Sequence, residues 1–261
     1  MDFWRHPAPA RVWDYLGGGK DNFAADRAVG DALVKALPDL ATMARATRWF
    51  VYRAVRLLAS GGIDQFLDIG CGFPALENTH TIAQKVNVNS RVVYVDNDPL
   101  VAVHARALLV STAEGRCEVL HADLREPDTI VDSPLVRDTL DFGRPIGLVL
   151  SGVLHDLPDT DQPHQVVNQL VRALKPGSHI VLSHLTTDQL AQGDDEHLTK
   201  LAATTGYGPL WPRNCHEVAR FLDGLDVLAP GLVPAELWRP EPTPFGQPPP
   251  AMCYAAVGRR T

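Results

Sequence analysis

Gln65-Phe66-Leu67-Asp68-Ile69-Gly70-Cys71-Gly72-Phe73-Pro74 is the stretch on which the reading of the chain turns. Its first five residues form a short, largely apolar run of strand length, and the two glycines that follow end it in a turn whose backbone can pass close to a ligand. A helical pattern starting near Leu76 comes next. The turn therefore opens on a helix N-terminus, whose unpaired N–H groups favour a carboxylate or phosphate. Alone, Gly-x-Gly is ambiguous, because many strand-to-helix turns need glycine only for conformation.

Moving outward, short apolar runs at Arg91 to Val95, Cys117 to His121, Ile146 to Leu150 and His179 to Ser183 read as further strands. Helical patterns starting near Pro99, Glu126 and Asp161 separate them, the last closing at Lys175-Pro176-Gly177. Strands alternating with helices predict an α/β fold with a doubly wound, mostly parallel sheet. After the fifth strand come a polar helix from about Thr187 to Ala203, a helix capped by Asn214, and two apolar runs, Asp226 to Leu228 and Met252 to Val257. No clear helix joins these two runs, so a hairpin-like antiparallel finish is expected, with Pro240 to Pro250 as its exposed loop. Upstream, residues 1–60 contain no strand pattern. A glycine turn at Gly17 to Gly19 precedes a helix from about Asn22 to Leu37, and a second helix after Pro38 ends at Gly61-Gly62. Two parts are expected: a helical N-terminal extension over 1–60 and the α/β domain over 61–261.

The second strand ends in Val95-Asp96-Asn97-Asp98-Pro99, so Asp96 follows Gly72 by 24 positions. At adjacent strand ends of a doubly wound sheet, a carboxylate there can accept hydrogen bonds from both ribose hydroxyls. Asp98 reads as the cap of the helix opening at Pro99, which leaves Asp96 for a ligand. The third strand ends in His121-Ala122-Asp123-Leu124, adding a third carboxylate at the same edge. It can meet an adenine amino group, or cap the helix near Glu126.

Composition narrows the partners. The 261-residue chain has a formal net charge of -7 with 45% hydrophobic and 21% charged residues, and no long Lys/Arg run, so it lacks the footprint of a dedicated nucleic-acid binder. No stretch reaches the roughly 20 apolar residues of a membrane span, and Met1 to Arg11 lacks the apolar core of a secretory signal; a cytoplasmic protein is expected. Four scattered cysteines, Cys71, Cys117, Cys215 and Cys253, show no metal-ligand spacing and read as reduced thiols. No metal is expected either at His155, Asp156 and Asp159, since no second cluster accompanies them.

In order, Asp-x-Gly-x-Gly, Tyr94-Val95-Asp96, Ala122-Asp123-Leu124 and Val153-Leu154-His155-Asp156-Leu157-Pro158-Asp159 resemble class I S-adenosylmethionine-dependent methyltransferases over about residues 65–185. The block from Trp13-Asp14-Tyr15-Leu16-Gly17-Gly18-Gly19-Lys20-Asp21-Asn22-Phe23 to Arg27 resembles an actinobacterial methyltransferase family long described as a domain of unknown function. Val92 to Pro99, Leu182-Ser183-His184 and Leu237-Trp238-Arg239-Pro240 extend that resemblance over nearly the whole chain. It implies a Rossmann-like sheet of seven strands with the last antiparallel, and S-adenosyl-L-methionine as cofactor, leaving as S-adenosyl-L-homocysteine. Asp68, Gly70 and Gly72 would face its methionine part, Asp96 and the adjoining Asn97 its ribose, Asp123 and Leu124 its adenine. Ser151, Gly152 and Val153 would wall the sulfonium. The sequence departs from the class at Phe73-Pro74, where a third glycine is common.

Gly17 to Lys20 is no phosphate loop: the glycine four residues before the Gly-Lys pair is missing and Asp21 stands where Ser or Thr is required. A lid is the better reading, with Tyr15, Lys20, Asn22 and Arg48 closing over cofactor or acceptor, although a helix-capping turn explains the glycines too. Methyl transfer is a direct displacement that needs alignment above all. His155 is the candidate base or acceptor-positioning donor, and a small-molecule acceptor is preferred to nucleic acid or protein. Two other functions stay open at this point. A nicotinamide-dependent oxidoreductase would need Gly-x-Gly-x-x-Gly, whereas position 75 is Ala. A non-catalytic S-adenosylmethionine-binding regulator would keep the same pocket motifs.

Overall fold

The computed structural model describes residues 2–75, 77–186, 188, 194–208, 210–241 and 252–261. Five parallel strands form the centre: β1 (Gln65–Ile69), β2 (Arg91–Asp96), β3 (Arg116–His121), β4 (Gly147–Ser151) and β5 (His179–Leu185). They are joined by two short strands, β6 (Leu225–Val227) and β7 (Val233–Pro234), and by the long β8 (Cys253–Arg260). The sheet order is β3-β2-β1-β4-β5-β8-β6, with β7 pairing β8 off this path. β8 runs antiparallel to β5, from His179 opposite Arg259 to Leu185 opposite Cys253, and antiparallel to β6. The expected antiparallel finish is thus present, with β8 inserted between β5 and β6. The sheet counts eight strands where seven were expected, because Val233–Pro234 adds a two-residue pairing too short to leave a sequence pattern.

Residues alternate across each strand, and both sheet faces are covered. Leu67, Ile69, Val93, Val95, Leu148, Leu150, Ile180 and Leu182 share a core with α6 (Pro127–Val131), α7 (Pro134–Thr139) and α8 (Pro163–Ala173). Phe66, Val92, Tyr94, Val149 and Val181 face a second core. That core is completed by α1 (Pro9–Leu16), α2 (Ala24–Ala36), α3 (Leu40–Ser60), α4 (Thr79–Val86), α5 (Pro99–Leu108) and α9 (Asp194–Thr205). Burial on both faces explains why the strands read as near-continuous apolar runs. α10 (Cys215–Ala219) precedes β6.

Differences from the sequence reading have local causes. Leu76 and most of the stretch from Pro240 to Pro250 lie outside the described residues, as does the start of the helix expected from Thr187. α4 begins only at Thr79, after the N-cap residue Asn78, whose N–H donates to the Thr81 hydroxyl. The third crossover is two short helices rather than one, because Pro127 and Pro134 each open a new helix. Near Asp161, a single 3-10 turn precedes α8, since Gln162 is left-handed at φ 53 and Pro163 restarts the chain. α1 was not anticipated at all. Leu237-Trp238, part of the family-like sequence, is structural: Trp238 is fully buried edge-on to Phe50 at 5.2 Å, and Arg53 of α3 donates to the carbonyls of Trp238 and Ala235.

Candidate active site

The carboxyl-terminal edges of β1, β2 and β3 open on one cavity of about 990 Å³, and Asp68, Asp96 and Asp123 all line it. Two glycines are required here for different reasons. Gly70 has φ +73, and a Cβ on it would lie 2.5 Å from Val153 Cγ2, so the turn after β1 presses against the turn after β4. Gly72 has φ +63 with open space beside it, so conformation alone selects glycine there. Phe73, where the class often has its third glycine, is buried edge-on to His104 at 5.1 Å.

Asp96 ties the two loops together. Its Oδ2 accepts from the Gly72 N–H at 2.9 Å and its Oδ1 from the Asp98 N–H at 2.9 Å. Each oxygen keeps a lone pair for a further donor. Asp98 caps α5, accepting from the Leu100 N–H. Asp68 accepts from the Thr79 hydroxyl at 2.6 Å. Burial raises the Asp68 carboxyl to about 6, against the lowering effects of Thr79 and the Arg48 charge. Burial likewise pushes Asp96 upward. Asp123 differs: Arg125 grips both its oxygens, at 3.0 and 2.6 Å, which holds its carboxyl below the usual range. Asn97 Nδ2 reaches the same carboxylate at 3.4 Å. Asn97, Leu124, Ser151, Gly152 and Val153 also line the cavity, with Ser151 and Ser183 hydroxyls 2.7 Å apart.

The N-terminal block divides. Arg48, on α3, lines the cavity and is the cation felt by both Asp68 and Asp14. Tyr15, Lys20 and Asn22 do not line it. The Tyr15 hydroxyl donates to Asp31 at 2.7 Å, Lys20 is exposed, and Asn22 donates to Asp14 at 2.8 Å. The glycine turn wraps the Asp14 carboxylate, where a Cβ on Gly19 would fall 1.9 Å from Asp14 Oδ1.

His155 is buried in the cavity wall with Trp13 5.6 Å from its ring. Its Nδ1 accepts from the Leu185 N–H at 3.4 Å, so the proton of the neutral ring sits on Nε2, which has no partner among the described residues. Burial and the Arg213 charge lower its pKa to about 3. Burial thus keeps the ring neutral with its proton on a buried Nε2, which weakens His155 as a base at neutral pH. Its neighbour was missed as a candidate. Asp156 also lines the cavity, accepts from the Tyr207 hydroxyl at 2.9 Å, and is raised to about 7, chiefly by burial. Arg11 was missed too: it is 3% exposed and joins Asp26 at 3.1 Å and Asp98 at 2.9 Å, fastening α1 to α2 and to the β2 edge. Arg213 fixes the loop after β4 through the carbonyls of Leu154 and Leu157 and through Asp159. These partners lie 87, 51 and 59 residues apart in the pairs Arg11–Asp98, Tyr207–Asp156 and Arg213–Leu154, so no local pattern marks them.

Among the described residues, no group of three or more His, Cys, Asp or Glu could hold a metal ion, and no helix is long and apolar enough to cross a membrane. A doubly wound sheet of this order, with three acidic strand ends converging on one cavity, defines the class of Rossmann-like methyltransferases. A family model described as S-adenosyl methyltransferase matches residues 3–261, and the chain belongs to that family: it is an S-adenosylmethionine-dependent methyltransferase. A DUF574 family protein from Streptomyces avermitilis is 37% identical, with 99% of each chain covered and a TM-score of 0.94. A proposed methyltransferase from Thermobifida fusca is 40% identical, covering 99% of this chain and 96% of the other, with a TM-score of 0.89. An O-methyltransferase family 2 protein from Planctomyces limnophilus shares the fold at 16% identity, covering 91% and 66%, with a TM-score of 0.51. No curated protein matches the chain.

Proposed function

We propose that this methyltransferase moves the methyl group of S-adenosylmethionine directly to an oxygen or nitrogen of a small-molecule acceptor. The observation that carries the reading is the single cavity shared by Asp68, Asp96 and Asp123, whose volume is at the upper end of small-molecule sites. When bound, the cofactor supplies an electrophilic methyl on a positively charged sulfur. The residues fit it. Asp68 and the turn at Gly70 and Gly72 receive the methionine part, with Arg48 facing its carboxylate. Asp96 and Asn97 receive the ribose, Asp123 and Leu124 the adenine, and Ser151, Gly152 and Val153 lie beside the sulfur.

His155 Nε2–H serves as a donor that positions the acceptor. α1, latched by Arg11, forms part of the cavity wall, and residues 1–60 act as a lid over the 61–261 domain, so that entry requires α1 to move. A small acceptor suits a cavity closed in this way. The overall acidic charge and the free cysteines favour a cytoplasmic enzyme that acts on no nucleic acid. The oxidoreductase alternative has no support, since Pro74 and Ala75 break the dinucleotide turn.

Calorimetric titration tests the cofactor. S-adenosylhomocysteine binds and reduced nicotinamide cofactor does not; the opposite result removes the assignment. Incubation with methyl-labelled cofactor and a panel of phenols, alcohols and amines then tests transfer, and label on none of them would favour a regulator.

A further inference from the structure

We propose that Asp156 receives the proton displaced from the methyl acceptor, which makes the acceptor an uncharged, protic O–H or N–H compound. The proposal rests on the methyl-transfer reading above and adds a proton acceptor, a role for which burial weakens His155.

The hydrogen-bond chain behind Asp156 sets its chemistry. Trp13 Nε1–H donates to the Tyr207 oxygen at 2.6 Å. An indole N–H can only donate, so the Tyr207 proton is directed onward to Asp156 Oδ1, 2.9 Å away. Oδ1 is thereby fixed as an acceptor. Oδ2 makes no hydrogen bond among the described residues, and Asp156 lines the cavity four to five residues beyond the Gly152 and Ser151 turn. Any proton Asp156 takes up resides on Oδ2.

The groups around Asp156 come from several elements. Tyr207, after α9, bonds it directly, and Trp13 of α1 bonds Tyr207 in turn. His155 is its chain neighbour, packed against His184, and Asp14 of α1 and Arg48 of α3 line the same cavity. Asp96 at the β2 edge is near enough for its charge to be felt at Asp156. Tyr207 favours the charged form, whereas burial and Asp96 favour the neutral one. Asp156 is thus poised between its two forms near neutral pH, as a proton acceptor should be.

The balance closes. The acceptor lone pair forms the new bond to the methyl carbon, the C–S bond breaks with its electron pair staying on sulfur, and the X–H proton passes to Oδ2. A carboxylate sharing the cavity with a sulfonium becomes a neutral carboxyl beside a thioether. S-adenosylmethionine should therefore favour charged Asp156, and S-adenosylhomocysteine the neutral acid.

This linkage can be measured without knowing the acceptor. Titration calorimetry of the full chain with each of these two ligands, in buffers of different ionisation enthalpy between pH 6 and 8, counts protons released on binding. Ammonium, carboxylate and ribose are common to both ligands, so the difference isolates the group near sulfur. Near pH 7, S-adenosylmethionine is expected to release up to about one proton more than S-adenosylhomocysteine. Asp156→Asn abolishes the difference. Tyr207→Phe, which removes a bond favouring the charged form, moves its maximum to higher pH and serves should the first variant not fold. Equal proton counts in the wild type, or a difference retained in Asp156→Asn, overturns the proposal. Failure of both ligands to bind removes the cofactor reading instead.

Discussion

The two halves of the cavity are built by opposite means. The half formed by the β1 to β3 edges uses residues a few positions from one another, each at the end of its own strand: Asp68 to Gly72, Asp96 to Asp98, Asp123 to Arg125. The other half gathers Trp13 from α1, Arg48 from α3, His155 and Asp156 after β4, Leu185 from β5 and Cys253 from β8. The first is fixed by the backbone of a parallel sheet. The second exists only when distant segments dock, and its stability rests on long-range polar contacts. Substitutions in the second half should therefore reach further than their position suggests.

Arg11→Met probes that docking and carries the largest expected effect. Removing the guanidinium leaves Asp26 and Asp98, 0% and 9% exposed, as buried carboxylates without their shared cation. A loss of about 3–5 kcal/mol in unfolding free energy is expected. Denaturant unfolding measures it, and limited proteolysis within the first 20 residues should accelerate. If stability falls by less than about 1 kcal/mol, α1 is not held by this triad.

Asp96→Ala should be the most damaging change to ligand binding in the strand-edge half. On the proposed ribose contact it removes a charged acceptor, and it frees the Gly72 and Asp98 N–H groups. With charge-assisted bonds worth about 1.5–3 kcal/mol each, affinity for S-adenosylhomocysteine should fall about 100-fold. A change below about threefold in calorimetry would place the ribose elsewhere.

The same contrast explains what the sequence disclosed. Strand β1 was bounded correctly and β2 to β5 within one or two residues, because buried parallel strands are apolar runs cut by turn residues. Asp68, Asp96 and Asp123 could be picked out because strand ends and glycine turns are local signals. α1 stayed hidden: its apolar stripe spans only eight residues, about two turns, which is too short to tell a helix from a chance pattern. Asp156 stood beside the favoured His155, and nothing within its own segment announces Tyr207. Tyr15, Lys20 and Asn22 were singled out because an irregular glycine block invites a functional reading; Gly19 is there to admit the Asp14 carboxylate.

Asp68 gives a smaller effect whose sign is diagnostic. Its carboxyl titrates near 6, above its ordinary 3.8, because it is buried. The folded protein then binds a proton more tightly than the unfolded chain, so this group's contribution to stability is present below about pH 4 and is lost as pH rises to 6. On the proposed function binding runs the other way, since the charged form would receive the ammonium of the cofactor. Affinity for S-adenosylhomocysteine should drop up to about tenfold between pH 7 and 5. Asp68→Asn should remove that pH dependence, weaken binding and stabilise the unliganded protein near pH 7. Weaker binding with lower stability would mean that Asp68 is structural only.

Lys20→Ala should produce the smallest effect, and its smallness is informative. The glycine block resembles a lid, and a lysine at its tip is the residue a phosphate-gripping loop would use. Yet Lys20 is exposed, makes no ion pair among the described residues, and lies off the cavity wall, while Asp14 occupies the concave side of the turn. An exposed, unpaired lysine contributes within about 0.5 kcal/mol, so affinity for S-adenosylhomocysteine should stay within about twofold of the wild type. Asp14→Ala in parallel should loosen the turn, because Asp21 N–H and Asn22 lose their common acceptor. Should Lys20→Ala instead weaken binding tenfold, the loop closes onto the ligand in solution. The boundary between the two halves of the cavity would then move, with the glycine block joining the residues that grip the cofactor.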